Sequence, residues 1–256
     1  MTKIHIEQNI LAKLRGKTVI VTELGANVVI GDLDDRNGEV LLRAINGAGV
    51  FQKTDVTQWE SLKSLFATAR SKYGTIDVVL ANAGMPEREP FLLQHEIDAA
   101  GELIEPDCRV IDVNLNGVLR TTKLAFYHFA KNQIPGGVLL LGILRSTAAM
   151  SQAQNVRVNL VAPWMTETDF SSEVTEIWGA LPKNTTKEVA EALCTAAADE
   201  SLHGRCLYVA KEIVDFELPL HNHQEEWMTP RQAKWFEQGR RRLAEGMGLP
   251  TSHYLE

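Results

Sequence analysis

The chain has 256 residues, a formal net charge of −7 and 45% hydrophobic residues, enough for one soluble globular domain with an apolar core. The acidic balance excludes the clustered Lys and Arg that nucleic acid or an anionic membrane surface demands, and the only basic run, Arg240, Arg241 and Arg242, reads as a solvated helix face. The cysteines Cys108, Cys194 and Cys206 have no metal-ligand spacing, so neither a disulfide framework nor a zinc site is expected; they read as small core residues in a reducing compartment. The longest apolar stretch, Gly137 to Leu144, is too short to span a bilayer, and the N-terminus lacks an uninterrupted apolar segment, so a cytoplasmic location is expected.

Thr18 to Thr22 (TVIVT) is a β-branched run without polar alternation, the pattern of a strand buried on both faces, and Asn27 to Gly31 (NVVIG) is a second. Only Glu23 to Ala26 lies between them. Parallel neighbours need a crossover of a dozen or more residues, so a tight antiparallel turn fits this spacing and a parallel crossover does not. A helix is expected over Asn37 to Asn46, a strand over Val50 to Thr54, a helix over Gln58 to Lys72 and a strand over Ile76 to Ala81. Met85 to Pro106 reads as a long loop with a short helix, suited to one wall of a substrate cleft. Val110 to Ala130 is a long helix, Gly136 to Leu141 and Val156 to Pro163 are strands, Lys187 to Ala198 is an amphipathic helix and Arg205 to Val209 a last strand. From Asp215 onward, with Trp227 and Trp235, helix and loop are expected. His221 and His223 are one residue apart, which by itself makes no metal site. The alternation of strand and helix gives an α/β fold, a doubly wound and mostly parallel sheet whose ligand crevice lies at the C-terminal strand ends.

The phrase LRGKTVIVT followed by ELGANVVIGDLDD, the triplet Asn82-Ala83-Gly84 after the fourth strand and VRVNLVAP at Val156 to Pro163 resemble the short-chain dehydrogenase/reductase family, in particular its fungal members of secondary metabolism. The resemblance implies a single Rossmann-like domain over residues 1–256. It also implies hydride transfer between NAD(P) and the alcohol or ketone of a small hydrophobic substrate, in a homodimer or homotetramer. Asp32 closes the second strand, where a carboxylate accepts hydrogen bonds from a ribose diol and repels a 2′-phosphate, favouring NAD over NADP; capping of the next helix by Asp32, Asp34 and Asp35 is the alternative. By the same resemblance Asp55 and Val56 contact adenine, and Asn82, Ala83 and Gly84 lie against a cofactor ribose that a side chain at Gly84 would crowd. An ordinary tight loop is the other reading of that triplet. Asn114 matches the asparagine that opens its helix and holds a water of the proton relay; asparagine is otherwise unfavourable in mid-helix. Thr168 matches the threonine that holds the nicotinamide carboxamide. Trp164 replaces the family's usual glycine, as an aromatic wall of the cleft or as core filling.

Two expected segments are missing. The glycine-rich loop and first crossover helix, which cradle the cofactor pyrophosphate in the family, have no counterpart between the first two strands. After the fifth strand, Gly142 to Ala149 resembles the back half of a truncated catalytic helix, without the family's serine and Tyr-x-x-x-Lys. The literal match Tyr127-x-x-x-Lys131 precedes the fifth strand, and its i, i+4 spacing suits an exposed or subunit-interface face. Loss of a crossover helix is expected to bare apolar sheet surface. The chain as it stands is therefore expected to be an impaired oxidoreductase, with a non-catalytic binding relative as the alternative.

Overall fold

The computed structural model describes residues 2–3, 14, 17–20, 27–45, 49–85, 96–132, 136–139, 151, 155–168, 178–217, 229–232, 234–235, 238 and 242. In chain order the first half contains β1 (Thr2–Lys3), β2 (Thr18–Ile20), β3 (Asn27–Asp32), α1 (Asp35–Ala44), β4 (Gly49–Lys53), α2 (Trp59–Tyr73) and β5 (Val78–Leu80). There follow α3 (Arg109–Ile111), a π-helical segment (Asp112–Gly117), α4 (Val118–Asn132), β6 (Gly136–Leu139), β7 (Val156–Pro163), α5 (Thr186–Ala198), β8 (Cys206–Ala210) and β9 (Glu212–Asp215). The chain forms two compact units, Ala12–Ile134 on the one hand and Met1–Leu11 with Pro135–Glu256 on the other.

In Ala12–Ile134 the strands run β5-β2-β3-β4, all parallel, with Thr18 opposite Asn27, Val19 opposite Val78 and Asp32 opposite Lys53. The parallel pairing of β2 and β3 corrects the antiparallel turn expected between them. The link has only to return from Ile20 to Asn27, one strand spacing across and two residues back, about 8 Å at ordinary strand dimensions. Six residues at up to roughly 3.6 Å each can span that distance; residues 21–26 themselves lie outside the described ones.

The apolar sheet surface expected from a missing crossover is likewise not bared. Val28, Val29 and Ile30 of β3, Val19 of β2 and Val78, Val79 and Leu80 of β5 are all buried, as strands inside a parallel sheet require. Leu62, Leu65, Phe66 and Ala69 of α2 are buried at i, i+3, i+4 and i+7, so one helical stripe packs inward. On α4 the inward residues include Val118, Leu124, Ala125 and Phe129. Helix α1 starts two residues earlier than Asn37 because Asp34 is its N-cap, accepting from the Arg36 and Asn37 amides.

In the other unit the strands run β1-β9-β8-β7-β6. Strands β6, β7 and β8 are parallel, β9 is antiparallel to β8, and β1 is antiparallel to β9. Strands β1 and β9 had no sequence signature: at two and four residues they are too short to show a period.

The polar residues of VRVNLVAP do structural work. The Arg157 guanidinium donates to the carbonyls of Ala196, Ala197, Asp199 and Leu202, satisfying groups that the end of α5 leaves without intrahelical donors. The amide of Asn159, buried beside it, donates to the Ala196 and Leu202 carbonyls and accepts from the Arg205 N–H. At the other end of α5, Thr185 and Glu188 form a reciprocal capping box.

Cys194 and Cys206 are buried as expected, whereas Cys108 is exposed, a correction; it lies immediately ahead of α3. Among the described residues no helix is long and apolar enough to cross a membrane. Arg242 is exposed, while Arg240 and Arg241 lie outside the described residues.

Candidate functional site

The strand ends of the unit Ala12–Ile134 deliver the candidate residues. Beyond β4, the Asp55 carboxylate accepts from both the amide and the hydroxyl of Thr57, at 2.9 and 2.7 Å, and the Asp55 amide donates to Ser61 Oγ at 2.9 Å. This Asx-type turn starts α2 and fixes the direction of the next side chain, Val56. Arg120 of α4 donates to the Thr57 carbonyl at 3.1 Å, tying the turn to the helix. Val56 packs where the helix backbone comes close: a Cβ on Gly117 would sit 2.8 Å from Val56 Cγ2, so only glycine fits there.

Beyond β5 comes Ala81 to Met85. Its anchor is Asn114, whose side-chain oxygen accepts from the Met85 N–H at 2.8 Å while its NH2 donates to the Met85 carbonyl at 2.9 Å. Asn114 stands in the π-helical segment Asp112–Gly117, between α3 and α4. Two asparagines and a glycine in six residues weaken the ordinary ladder, and Asn116 donates to the Asp112 carboxylate at 2.8 Å within the same segment. The sequence expectation that Asn114 opens its helix meets this local change of helix type.

Gly84 differs from Gly117. A Cβ there would meet only Asn114 Oδ1, at an ordinary 3.5 Å, and Gly84 is not among the positive-φ glycines. Neither packing nor backbone conformation demands glycine at this exposed turn.

Thr54, Val56, Asn82, Ala83, Gly117 and Thr121 take part in lining a cleft of about 40 Å³. That is far below the roughly 300–1,000 Å³ of a pocket enclosing a whole small-molecule ligand. Its size and its small, mostly apolar walls fit one end of an extended ligand. The structure thus brings Val56, Asn82 and Ala83 together, with Gly84 and Asn114 adjoining; Asp32 and Asp55 do not line the cleft. Asp32 Oδ1 accepts from the Asp34 amide at 2.9 Å, Asp34 caps α1, and Asp35 pairs with Lys53 at 2.7 Å. The three acids thus divide their tasks, and Asp32 supports the cap without being it.

Thr168 belongs to the other unit, half-buried in the segment after β7, where the Glu167 amide donates to the Asn184 carbonyl at 2.9 Å. Trp164 in the same segment is 48% exposed, edge-on to Trp178 with centroids 5.4 Å apart and to Tyr208 at 6.3 Å. Core filling is therefore corrected to a half-exposed aromatic cluster.

Tyr127 and Lys131 do meet, but through the ring face: Lys131 Nζ lies 4.4 Å from the Tyr127 centroid. Tyr127 is 52% exposed and about 20 Å along the helix from Asn114, at roughly 1.5 Å per residue. Beside it, His128 stacks on Phe66 with centroids 5.2 Å apart, and its buried Nδ1 has no partner among the described residues. Burial, then the positive charges of Arg70 and Lys131, hold the His128 pKa below its ordinary value.

Gly142 to Ala149, His221, His223 and Trp227 lie outside the described residues, as do residues 86–95 of the expected cleft wall. The described remainder of that wall holds a hairpin: Ile104 N–H donates to the Glu96 carbonyl at 2.8 Å, and Ile97 bridges to Leu103. Trp235 is exposed, with the Arg231 guanidinium 4.5 Å from its centroid. Sequence reasoning missed Gly117 and the backbone of Met85 as parts of the site. The glycine inside an otherwise helical run was the available signal.

The family profile described as short chain dehydrogenase matches residues 18–141. Short-chain dehydrogenase/reductase ascJ of Acremonium egyptiacum is 31% identical over 254 residues, covering 82% of this chain and 84% of that protein. The chain belongs to the short-chain dehydrogenase/reductase family. Short-chain dehydrogenase/reductase prx4 of Penicillium roqueforti is 29% identical over 202 residues, 66% of this chain and 60% of the relative. A solved 7α-hydroxysteroid dehydrogenase, complexed with NADH and 7-oxo glycochenodeoxycholic acid, superposes with a TM-score of 0.66 at 20% identity, covering 80% of this chain and 96% of its own. That likeness shows the Rossmann-like α/β fold.

Proposed function

We propose that this short-chain dehydrogenase/reductase is, by lineage, an oxidoreductase for the alcohol or ketone of a small hydrophobic substrate, and that the 256-residue chain is impaired in that reaction. The observation that carries the reading is the two-point hold of Asn114 on Met85 beside Asn82-Ala83-Gly84. It supports a retained cofactor-side turn, while the one Tyr-x-x-x-Lys in the chain is engaged as a cation–π pair far along the helix.

The residues present suit the adenosine end of a nicotinamide dinucleotide. Val56, Asn82 and Ala83 offer a small apolar cleft, and Gly84 leaves open the space a Cβ would fill. Asp32 would accept from a ribose diol, which favours NAD over NADP, and Asp55 would act through the turn that aims Val56. Thr168 would hold the carboxamide. The chemistry a bound nicotinamide supplies is hydride exchange. The chain's own part is to orient the dinucleotide and to hold, through Asn114, the turn beside it. General acid–base chemistry further requires a proton donor within reach of the reacting group, and Tyr127 stands about 20 Å along the helix from Asn114 with Lys131 over its ring face.

One domain, a cytoplasmic location, a homodimer or homotetramer and a place in fungal secondary metabolism complete the proposal; the fungal relatives support the last. The alternative is a non-catalytic relative that binds a partner or small molecule. The buried apolar residues of β2, β3 and β5 favour it, because these strands stay covered in the chain as it stands. Intact mass of the protein from its natural source separates the two. A mass several kDa above 28.4 kDa supports the dehydrogenase, with the glycine loop and the Ser/Tyr/Lys segment present. A matching mass supports the binding protein.

A further inference from the structure

Strand β7 ends at Pro163, and Trp164 to Thr168 run on outside any helix or strand of the sheet. Asn184, one residue ahead of the Thr185 cap of α5, holds this segment by both of its backbone groups. Its N–H donates to the Met165 carbonyl at 2.7 Å, and its carbonyl accepts from the Glu167 N–H at 2.9 Å. The next residue along the chain is Thr168. The reading above gives the Thr168 side chain the nicotinamide carboxamide, a flat group whose hydrogen bonds form only when the partner is set at the right distance and angle.

Asn184 is in turn fixed by its side chain, since the residue is only 1% exposed. Nδ2 donates to the Val209 carbonyl at 2.7 Å and, at 3.4 Å, to the Trp164 carbonyl, while Oδ1 accepts from the Lys211 N–H at 2.8 Å. Both ends of the buried amide are thereby matched. Lys211, alone between β8 and β9, takes a φ of +61°, a conformation that a long side chain keeps only where its surroundings over-determine it. Here the Asn184 oxygen takes its N–H, and the Glu188 carboxylate of α5 accepts from its Nζ at 3.1 Å. The side chain of Asn184 thus fastens it to the β8–β9 turn, and its main chain fastens the segment that leads into Thr168.

We propose that Asn184 is a positioning residue for the nicotinamide half of the cofactor: it touches no cofactor atom and acts by holding the segment that presents Thr168. A segment held before the ligand arrives has less ordering left to lose on binding, so the hold adds affinity without adding a contact. The adenosine half, assigned above to Val56, Asn82 and Ala83 of the other unit, owes Asn184 nothing. Coupling of this kind is reciprocal, so a nicotinamide gripped through Thr168 must also tighten the bonds at Asn184. The inference rests on the reading of Thr168 as the carboxamide partner.

Calorimetric titration of the full 256-residue chain with NADH and with ADP-ribose, the same molecule without its nicotinamide, separates the two halves. Asn184→Ala should weaken NADH about tenfold and ADP-ribose by less than about twofold. Arg157→Leu, at the far end of α5, is the control for lost stability and should leave the ratio of the two affinities unchanged. Thr168→Val should weaken NADH alone, and should add little on top of Asn184→Ala, because residues that act as one unit are not additive. If circular dichroism shows Asn184→Ala unfolded, the wild type still decides: NADH, and not ADP-ribose, should slow hydrogen exchange at the Glu167 and Lys211 amides. A wild type that binds neither ligand overturns the cofactor reading and this inference with it. With both ligands bound by the wild type, equal losses for the two in Asn184→Ala, additive losses with Thr168→Val, or amide exchange that NADH leaves unchanged would overturn the role of Asn184 alone.

Discussion

Asn114 holds Met85 by both backbone groups, accepting from its N–H at 2.8 Å and donating to its carbonyl at 2.9 Å. One side chain thereby does for the turn after β5 what a neighbouring strand would do. Asn114→Ala removes both bonds and leaves two half-buried polar groups without partners, a cost of about 1–3 kcal/mol. Chemical denaturation reads the loss, and hydrogen exchange at the Met85 amide localises it: that amide is expected to exchange faster while amides in β3 do not.

Gly84 and Gly117 separate binding from packing. Gly117→Ala drives a methyl to 2.8 Å from Val56 Cγ2, and overpacking of this kind costs about 1–3 kcal/mol. Gly84→Ala adds a methyl into ordinary contact, so stability changes by less than about 0.5 kcal/mol. Titration with NAD should nonetheless weaken for Gly84→Ala, because the open space beside Asn82 and Ala83 is where the proposal puts the ribose. An unchanged NAD titration with Gly84→Ala would return this turn to an ordinary loop.

Arg157 gathers four carbonyls at the end of α5. Arg157→Leu keeps apolar bulk but takes the guanidinium from the Ala197 carbonyl and leaves the Ala196, Asp199 and Leu202 carbonyls to the Asn159 amide and the Leu202 N–H alone, and the unfolding free energy should fall by about 1–3 kcal/mol. Arg157→Lys should rescue little of it, because a single ammonium cannot reproduce the planar fork. Denaturant midpoints of the three proteins check both statements.

His128 predicts an acid-side instability. Its folded pKa is held below the ordinary value by burial and by Arg70 and Lys131. In the unfolded chain it takes up a proton near pH 6.5. As pH falls through that value the unfolded state binds the proton first, so stability declines until the lower folded pKa is passed. Above that window both states are neutral and the residue adds no pH dependence. His128→Phe keeps the stack on Phe66 and should flatten this part of the stability profile; a profile equally steep in the variant would assign the decline to other groups.

Much of the fold was legible because buried strands and amphipathic helices carry strong periods. Val156–Pro163 has the bounds its sequence suggested, and α2 and α5 match their expected spans within a residue or so. The direction of β2 against β3 was misread because the rule applied was one for helical crossovers, whereas a three-residue strand leaves its link little distance to cover. Strands β1 and β9 depend on pairing with β8 and its neighbours, which no local pattern announces.

At the site, Asn114 was visible as a polar residue in mid-helix, but its partner was a backbone, and backbones leave no letter in a sequence. Trp164 showed the opposite difficulty. Its size suggested the core, yet its ring is half-exposed against Trp178 and Tyr208, because three aromatics distant in sequence share one face.

The central claim is that this chain keeps the cofactor-side turn of a short-chain dehydrogenase and lacks the proton-transfer group. The most direct measurement is steady-state nicotinamide reduction by the 256-residue chain, verified by intact mass, with NAD and a panel of small hydrophobic secondary alcohols. The account predicts no turnover above that of a heat-denatured control. Sustained turnover that Tyr127→Phe abolishes would contradict it and make Tyr127 and Lys131 the acid–base pair after all.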